Sequence, residues 1–362
     1  MTDFMTKNKE KLEQFAAMSQ AAGSRSDYVQ GGGGNTSVKL ADGLMAIKAS
    51  GYCLSDIRPN KAYAVLDYEA LRRFYYDNEP AQLADVEKLG SACAKENTKL
   101  IEGMDALRPS VEAGFHSILK TFVCHTHSVY ANLAACSTAC CEIAEKAFNG
   151  ADYTWGWVPY TDPGANLTFA IRDELRRVEE KTGKVPSVIL MQNHGIIVHD
   201  DDAERCLAIH ADANERLAQQ FGIHGDSFPA ISVRQTGEEL YEADTPYLRE
   251  ALKNCRYDYK TFIETPLYPD QMVFLIGTFF MDKEGTPAEG ECYADTKTGA
   301  LVLHMGEKKA KTIAETLTAV IFIMDTVAKM GYTVSTMGEA AKSFIANWES
   351  EKYRKSLAGK KG

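Results

Sequence analysis

The sequence lacks the features of exported and membrane proteins. Its first residues are polar and amphipathic, without the continuous apolar segment of a signal peptide. The longest apolar run, at 317–324, is broken by Asp325 and is far shorter than the roughly 20 residues that a membrane helix needs. The nine cysteines are odd in number and include no CxxC pair, which argues against a disulfide framework and a zinc ribbon. We therefore expect a cytoplasmic protein that contacts no membrane and keeps its thiols reduced.

An excess of positive charge and a nucleotide-binding loop are also lacking. The chain has 40 Lys and Arg against 50 Asp and Glu, a net charge of −10, whereas surfaces that bind nucleic acid are basic. The four glycines at 31–34 fit neither GxxxxGK[ST] nor GxGxxG. We expect a small-molecule partner rather than nucleic acid, and any phosphate must be held by a local arrangement of donors.

Alternating strand-like and helix-like segments predict an α/β domain over residues 1–225 and a smaller α+β C-terminal extension over residues 226–362. In the first unit we predict an opening helix within 1–25, strands at 36–39 and 44–48, and helices at 68–76 and 202–221. In the extension we predict strands at 272–280 and 300–304 and helices at 308–330 and 337–353. The sequence gives no indication of what the extension does.

Two histidines separated by one residue point to a metal site. Side chains two apart on a strand share a face, so His125 and His127 can bind one ion. His194, in the turn after an apolar strand and before Gly195, is the best third ligand. Three histidines that leave one position open are typical of catalytic zinc. The alternative is a set of histidines with separate hydrogen-bond partners.

Glu112 is the candidate acid or base. Pro109 suits a first helical turn, so we predict a helix that starts there, carries Glu112 in its first turn and runs back onto the histidine strand. Ser110 at this helix start would help to hold a phosphate. The alternative is a first-turn carboxylate that only complements the helix dipole. The glycines at 31–34, together with Ser50 and Gly51, form a second candidate anion site.

Three further side chains have both a functional and a structural interpretation. His116 follows Glu112 by one helical turn and either orients it or is a hydrogen-bonded structural histidine. His199 precedes an acidic turn, where we expect a solvated position or a helix cap. Cys124 alternates with the histidines on the predicted strand and is expected in the core.

The segments GGGGNTS, ASG, PSVE, HTH and NHG, in this order and at these intervals, resemble the class II aldolase/adducin family over roughly residues 8–220. The segments WGWVPYTDPGANLTFAI and ETPLYPDQMVF also resemble a longer subgroup of predicted rhamnulose-type aldolases. The resemblance implies a three-layer α/β/α fold and a homo-oligomer, commonly a tetramer with sites at subunit contacts.

The resemblance also implies roles for individual residues. His125, His127 and His194 would bind Zn²⁺, with Mn²⁺ or Co²⁺ as alternatives, and Glu112 would be the catalytic acid/base. Positions that match substrate-phosphate ligands are Asn35, Ser50, Gly51 and Ser110. Val111 departs from the family, because the aldolases often carry a serine there, and it can offer only its backbone N–H.

The implied reaction is cleavage of a phosphorylated ketose to dihydroxyacetone phosphate and an aldehyde. An epimerase, a dehydratase or a decarboxylase of a sugar phosphate remains open on the same fold. A metal-free scaffold of the adducin kind is the alternative from another class of protein.

Overall fold

An eight-stranded sheet lies at the centre of the N-terminal region in the computed structural model, which describes residues 3–347. Its strands are β1 (Asn35–Lys39), β2 (Leu44–Lys48), β3 (Tyr63–Asp67), β4 (Thr98–Lys99), β5 (Phe122–Thr126), β6 (Trp155–Val158), β7 (Val188–Met191) and β8 (Gly195–Asp200). They run in the order β4-β3-β2-β1-β5-β8-β7-β6. Neighbours are antiparallel except β6 and β7, which are parallel.

Helices cover both faces of this sheet. They are α1 (Asp3–Lys7), α2 (Lys9–Gly23), α3 (Tyr68–Asp77), α4 (Val86–Glu96), α5 (Ala113–Ile118), α6 (Val129–Ala135), α7 (Cys140–Ala147), α8 (Ala165–Thr182) and α9 (Ala203–Gln220). Alternate strand residues enter different apolar clusters: Cys124 and Val198 pack on one side, Val123 and Ile197 on the other. The predicted three-layer α/β/α arrangement is confirmed.

A second sheet follows in the C-terminal region. Its strands are β9 (Val233–Gly237), β10 (Leu240–Ala243), β11 (Phe279–Met281), β12 (Cys292–Asp295) and β13 (Ala300–His304), in the order β11-β12-β13-β10-β9. Its helices are α10 (Pro246–Lys253), α11 (Tyr259–Glu264), α12 (Pro269–Leu275), α13 (Glu307–Lys329) and α14 (Glu339–Asn347). The α+β character of the extension is confirmed. Among residues 3–347, none of the helices combines the length and apolar character needed to cross a bilayer.

Some element boundaries differ from the sequence predictions. The strand predicted over 272–280 is wrong: Pro269 starts helix α12, and only Phe279–Met281 forms a strand. A short apolar run is compatible with both the helical and the strand periodicity. The proline in the first helical turn favours the helix. The opening helix is two helices that meet at Asn8. Helix α14 is described as far as Asn347, and the rest of the helix predicted to 353 lies outside the described residues.

The pairing of β1 with β5 positions the site. Asn35 is opposite His125, and Ser37 is opposite Val123. Because paired residues of neighbouring strands point to the same face, the side chains of Asn35, Ser37 and His125 share one side of the sheet. Helix α5 packs on that side through Phe115, whose ring meets His125 edge to face at 5.7 Å between centroids.

Candidate metal centre

Three histidines converge at one end of the central strands. His125 is on β5, His127 lies one residue beyond that strand, and His194 lies in the turn between β7 and β8. One imidazole nitrogen from each lies within 4.8 Å of the other two, and all three side chains are buried. The ring centroids of every pair are 5.0 Å apart. The structure therefore brings together the three histidines that the sequence predicts as ligands.

The turn that carries His194 depends on its neighbours. Asn193 adopts a left-handed conformation with φ of 51°, which asparagine tolerates better than most residues. A Cβ on Gly195 would lie 2.3 Å from the carbonyl oxygen of Thr126. Glycine is therefore needed for the turn to approach β5 closely enough to place His194 beside the other two rings.

The hydrogen bonds of two rings fix which nitrogens face each other. Nδ1 of His125 lies 2.9 Å from the carbonyl oxygen of Ile196, and Nδ1 of His127 lies 2.5 Å from Oδ2 of Asp270. A neutral imidazole that donates through Nδ1 carries its lone pair on Nε2. The two Nε2 atoms are 3.2 Å apart, so their lone pairs repel unless a cation lies between them.

The spacing of His125 and His127 suits a tetrahedral zinc ion, and His194 lies within reach as a third donor. Zinc–nitrogen bonds of about 2.0–2.1 Å place ligand nitrogens about 3.3 Å apart, close to the separation of the two Nε2 atoms. Burial lowers the pKa of His125 to about 4, and the opposing effect of the Glu112 carboxylate is smaller. Burial likewise holds the pKa of His194 well below its ordinary value. Both rings are therefore neutral near pH 7, as metal ligation requires.

Glu112 lies against the histidines but not where the sequence placed it. The predicted helix start at Pro109 is wrong: α5 begins at Ala113, Glu112 is the residue before it, and Pro109 instead forms a β-bridge with Ala49. The carboxylate is buried, with Oε1 3.3 Å from Nε2 of His194 and Oε2 3.6 Å from Nε2 of His125.

A chain of hydrogen bonds holds Glu112 from behind. The side-chain amide of Asn35 donates to Oε2 of Glu112 and, at 3.1 Å, to the hydroxyl of Ser110. The amide oxygen then faces Nε2 of His116, while Nδ1 of His116 lies 2.7 Å from the hydroxyl of Ser37. His116 must therefore donate through Nε2 and accept through Nδ1. The ring of His116 is connected to the Glu112 carboxylate through the Asn35 amide.

These surroundings favour ionised Glu112. Burial alone would raise the pKa of the carboxyl group, but the nearby histidines and the Asn35 amide outweigh burial and lower that pKa. Burial also keeps the pKa of His116 well below its ordinary value, so this ring is neutral and its two hydrogen bonds have fixed directions. The site presents a carboxylate and neutral imidazoles to whatever occupies the space between them.

A pocket opens beside Glu112 and the histidines. Ser50, Ser110 and Val111 line it, together with Gly32 and Gly34 of the glycine turn. Gly51 follows Ser50 but is exposed and does not line the pocket. Both amide hydrogens of Asn35 are directed to protein groups, so the structure ties this residue to Glu112 first.

Two residues of the pocket were missed by sequence reasoning. Lys48 is a buried cation at the end of β2, and its Nζ donates to the carbonyl oxygens of Gly32 and Tyr52 at 3.3 and 2.9 Å. Lys48 could have been predicted from its position two residues before Ser50, a residue of the candidate anion site.

Asp270 comes from α12 of the C-terminal region and contacts His127. No short-range signal links it to the histidines, because it lies 143 positions after His127 in the chain.

The structure tests two further predictions. Cys124 is fully buried in the apolar core, as expected. The solvated position predicted for His199 is wrong: it is a fully buried residue of β8 opposite Val123. Strand pairing continues through Asp200, which lies opposite Phe122, so the strand extends further than the polar sequence suggests.

A profile of the Class II Aldolase and Adducin N-terminal domain matches residues 13–221, which is more than half of the chain. The chain belongs to the class II aldolase and adducin family. The family domain includes the three histidines, Glu112 and the glycine turn. Asp270 lies outside it.

Three solved structures are similar to this family member at low sequence identity. The N-terminal class II aldolase domain of a Thermoplasma acidophilum protein is 20% identical, covers 57% of this chain and 92% of its own, and has a TM-score of 0.47. A YgbL protein of Klebsiella pneumoniae, described as a putative aldolase/epimerase/decarboxylase, is 18% identical over 60% and 91%, with a TM-score of 0.40. An L-fuculose 1-phosphate aldolase of Glaciozyma antarctica PI12 is 12% identical over 61% and 75%, with a TM-score of 0.39. None of the curated proteins compared with the chain matches it significantly.

Proposed function

We propose that this protein is a metal-dependent aldolase that cleaves a phosphorylated ketose to dihydroxyacetone phosphate and an aldehyde. The observation that carries the proposal is the buried cluster of His125, His127 and His194 with the Glu112 carboxylate against it. A scaffold of the adducin kind has no use for neutral imidazoles whose lone pairs face each other. Family membership supports an enzyme of this type.

The three histidines would hold zinc, or manganese or cobalt in its place. When bound, the metal supplies Lewis-acid chemistry, since it stabilises negative charge that develops on substrate oxygen during cleavage. Three protein ligands leave a coordination position for substrate. Asp270 and the carbonyl oxygen of Ile196 would hold two of the ligand rings in position from behind.

Glu112 would move the proton in this reaction. Cleavage of the carbon–carbon bond converts the adjacent hydroxyl group into the aldehyde carbonyl and releases the proton of that hydroxyl. The electron pair of the broken bond stays on the carbon of the phosphorylated fragment, which takes up one proton. Glu112, ionised in the free protein, would first accept a proton and then deliver it to this carbon, and in the direction of synthesis the ionised carboxylate would remove it. Asn35, itself oriented by His116, holds Oε2 so that Oε1 stays directed toward His194.

The other end of the pocket suits a phosphate. Lys48 provides a buried positive charge, and Ser50 and Ser110 provide hydroxyls. Gly32 and Gly34 of the glycine turn line the same pocket. A phosphate contact through the Asn35 amide would have to replace one of its present hydrogen bonds, so we assign Asn35 to Glu112 rather than to phosphate.

A panel of ketose 1-phosphates tests the proposed reaction. With zinc, manganese and cobalt supplied in turn, one of these substrates should release dihydroxyacetone phosphate, detected by coupled reduction with NADH, and chelation should abolish the release. Release of an epimer, of water or of carbon dioxide in place of dihydroxyacetone phosphate would assign the site to the epimerase, dehydratase or decarboxylase alternative. The homo-oligomeric state stays a prediction from the sequence.

A further inference from the structure

We propose that Asp270 is a positioning residue of the metal centre, through which the C-terminal region controls metal affinity. Its carboxylate accepts a hydrogen bond from Nδ1 of His127 and thereby directs Nε2 of that ring toward the metal. This inference rests on the proposed function, because it takes the three histidines as the ligands of a divalent metal.

The geometry of the pair is that of a charge-assisted hydrogen bond. Nδ1 of His127 and Oδ2 of Asp270 are 2.5 Å apart, and both side chains are buried. Because the carboxylate accepts at Nδ1, the lone pair of the ring is on Nε2, which lies 3.2 Å from Nε2 of His125. The contact thus selects both the tautomer and the orientation that a ligand needs.

His125 provides an internal comparison. Its Nδ1 donates to a neutral acceptor, the backbone carbonyl oxygen of Ile196, at 2.9 Å. Asp270 places a full negative charge behind His127 instead. A carboxylate in this position makes the ligating nitrogen more basic and offsets part of the positive charge of a bound metal. His127 should therefore depend on its partner for metal affinity more than His125 does.

Hydrogen bonds of neighbouring residues fix the position of Asp270. Gln271 anchors the start of α12, because its amide nitrogen donates to the carbonyl oxygen of Phe262 and its amide oxygen accepts the N–H of Leu267, both at 2.8 Å. The side chain of Asn193, next to His194, donates to the carbonyl oxygen of Leu267 at 2.8 Å.

The glycine turn leaves room for the carboxylate from the other side. A Cβ on Gly33 would lie 2.4 Å from Oδ2 of Asp270 and 3.0 Å from Nδ1 of His127. Any other residue at position 33 would thus displace the His127–Asp270 pair. The glycine turn serves this pair in addition to any anion it binds.

Metal affinity distinguishes this role from a purely structural ion pair. We would measure the zinc dissociation constant of the full-length protein by competition with a chromophoric chelator, and record visible absorption after cobalt substitution. Asp270→Ala should weaken zinc binding by about 10- to 100-fold and shift the cobalt bands. Asp270→Asn, which keeps the volume and can still accept through its amide oxygen, should fall between Asp270→Ala and the wild type. Asp325→Asn is the control, because this aspartate of α13 bonds Arg256 and Tyr257 and none of the site residues.

The outcomes test separately the role of Asp270, the contribution of its charge and the proposed metal site. Zinc affinity and cobalt bands of both Asp270 variants equal to the wild type would overturn the inference, even if the variants unfold at lower temperature. If Asp270→Ala does not fold, Asp270→Asn decides, and unchanged zinc affinity there contradicts the contribution of the charge. A wild-type protein that binds no metal would refute the proposed function itself, whereas tight binding by wild type and variants alike refutes only the role of Asp270.

Discussion

At Glu112, burial and the neighbouring polar groups have opposite effects on the pKa of the carboxyl group. Burial disfavours a carboxylate, yet the histidines and the Asn35 amide lower its pKa. The ionised form is therefore ready to accept a proton at neutral pH. Asn35 and His116 act as a rigid support behind it, since all of their side-chain polar atoms are hydrogen-bonded to defined partners.

Glu112→Gln separates proton transfer from metal binding. The amide keeps the size of the side chain but cannot take up and deliver a proton, so turnover should fall by about 100- to 10,000-fold. Metal content, measured by mass spectrometry of the purified protein, should equal that of the wild type. Glu102→Gln, at an exposed position, is the matched control and should keep full turnover. Retained activity in Glu112→Gln would remove Glu112 from the proposed role.

Single residues of the site were predictable when they lie near one another in sequence or share a motif. His125 and His127 were found from strand periodicity, and His194 from the turn that ends an apolar strand. Asp270 was not predictable, because its contact with His127 depends on how the C-terminal region folds back onto the first sheet. Such long-range contacts leave no periodicity in the sequence.

At the scale of elements, the sequence predicts the bounds of some segments closely and assigns others wrongly. Strands β1 and β2 and helices α9 and α13 are close to their predicted bounds, because each has a clear period and clear turn residues. Helix α12 was mistaken for a strand, and α5 begins four residues later than predicted. In both places a proline was the ambiguous signal: Pro269 begins a helix, whereas Pro109 joins a bridge to Ala49.

Strand β8 makes stability sensitive to acid through His199. Burial and the nearby Lys120 lower the pKa of this histidine from 6.5 to about 3. The unfolded chain therefore takes up a proton below pH 6.5 while the folded protein does not, so stability falls as the pH decreases from 6.5 toward 3. From pH 7 to pH 5, His199 alone should lower the free energy of unfolding by about 2 kcal/mol.

Urea unfolding at pH 7 and pH 5 checks this contribution. In His199→Asn, the side-chain oxygen can still accept the N–H of Lys120 but the group does not titrate. The variant should be less stable than the wild type at pH 7, yet lose about 2 kcal/mol less on acidification. An equal loss in both proteins would show that His199 is protonated in the folded state or exposed to water.

At the scale of the whole molecule, the two regions share one core. Buried apolar residues form a continuous cluster from Leu12 in α2 to Val327 in α13. The C-terminal region also contributes Asp270 to the pocket and contacts the glycine turn, where Glu315 accepts the N–H of Gly31 at 3.2 Å. The division between residues 225 and 226 stays a prediction from the sequence. Turn residues there indicate a connector, but they do not show how much surface the two regions bury against each other.

A shared core predicts cooperative unfolding. Differential scanning calorimetry of the metal-loaded protein should show a single transition, because neither region can lose its packing without exposing the cluster that both build. Removal of the metal should shift that transition to lower temperature as a whole. Two separate transitions, of which only one responds to metal, would show that the regions are independent domains.

The most direct test of the account is the metal content of the protein purified without chelators. We predict about one zinc, manganese or cobalt ion per chain in the wild type, in keeping with a three-histidine site. His127→Ala should lose most of it, and Asp325→Asn should keep it. A wild-type protein without stoichiometric metal at neutral pH, or a His127→Ala variant with undiminished metal, would contradict the account.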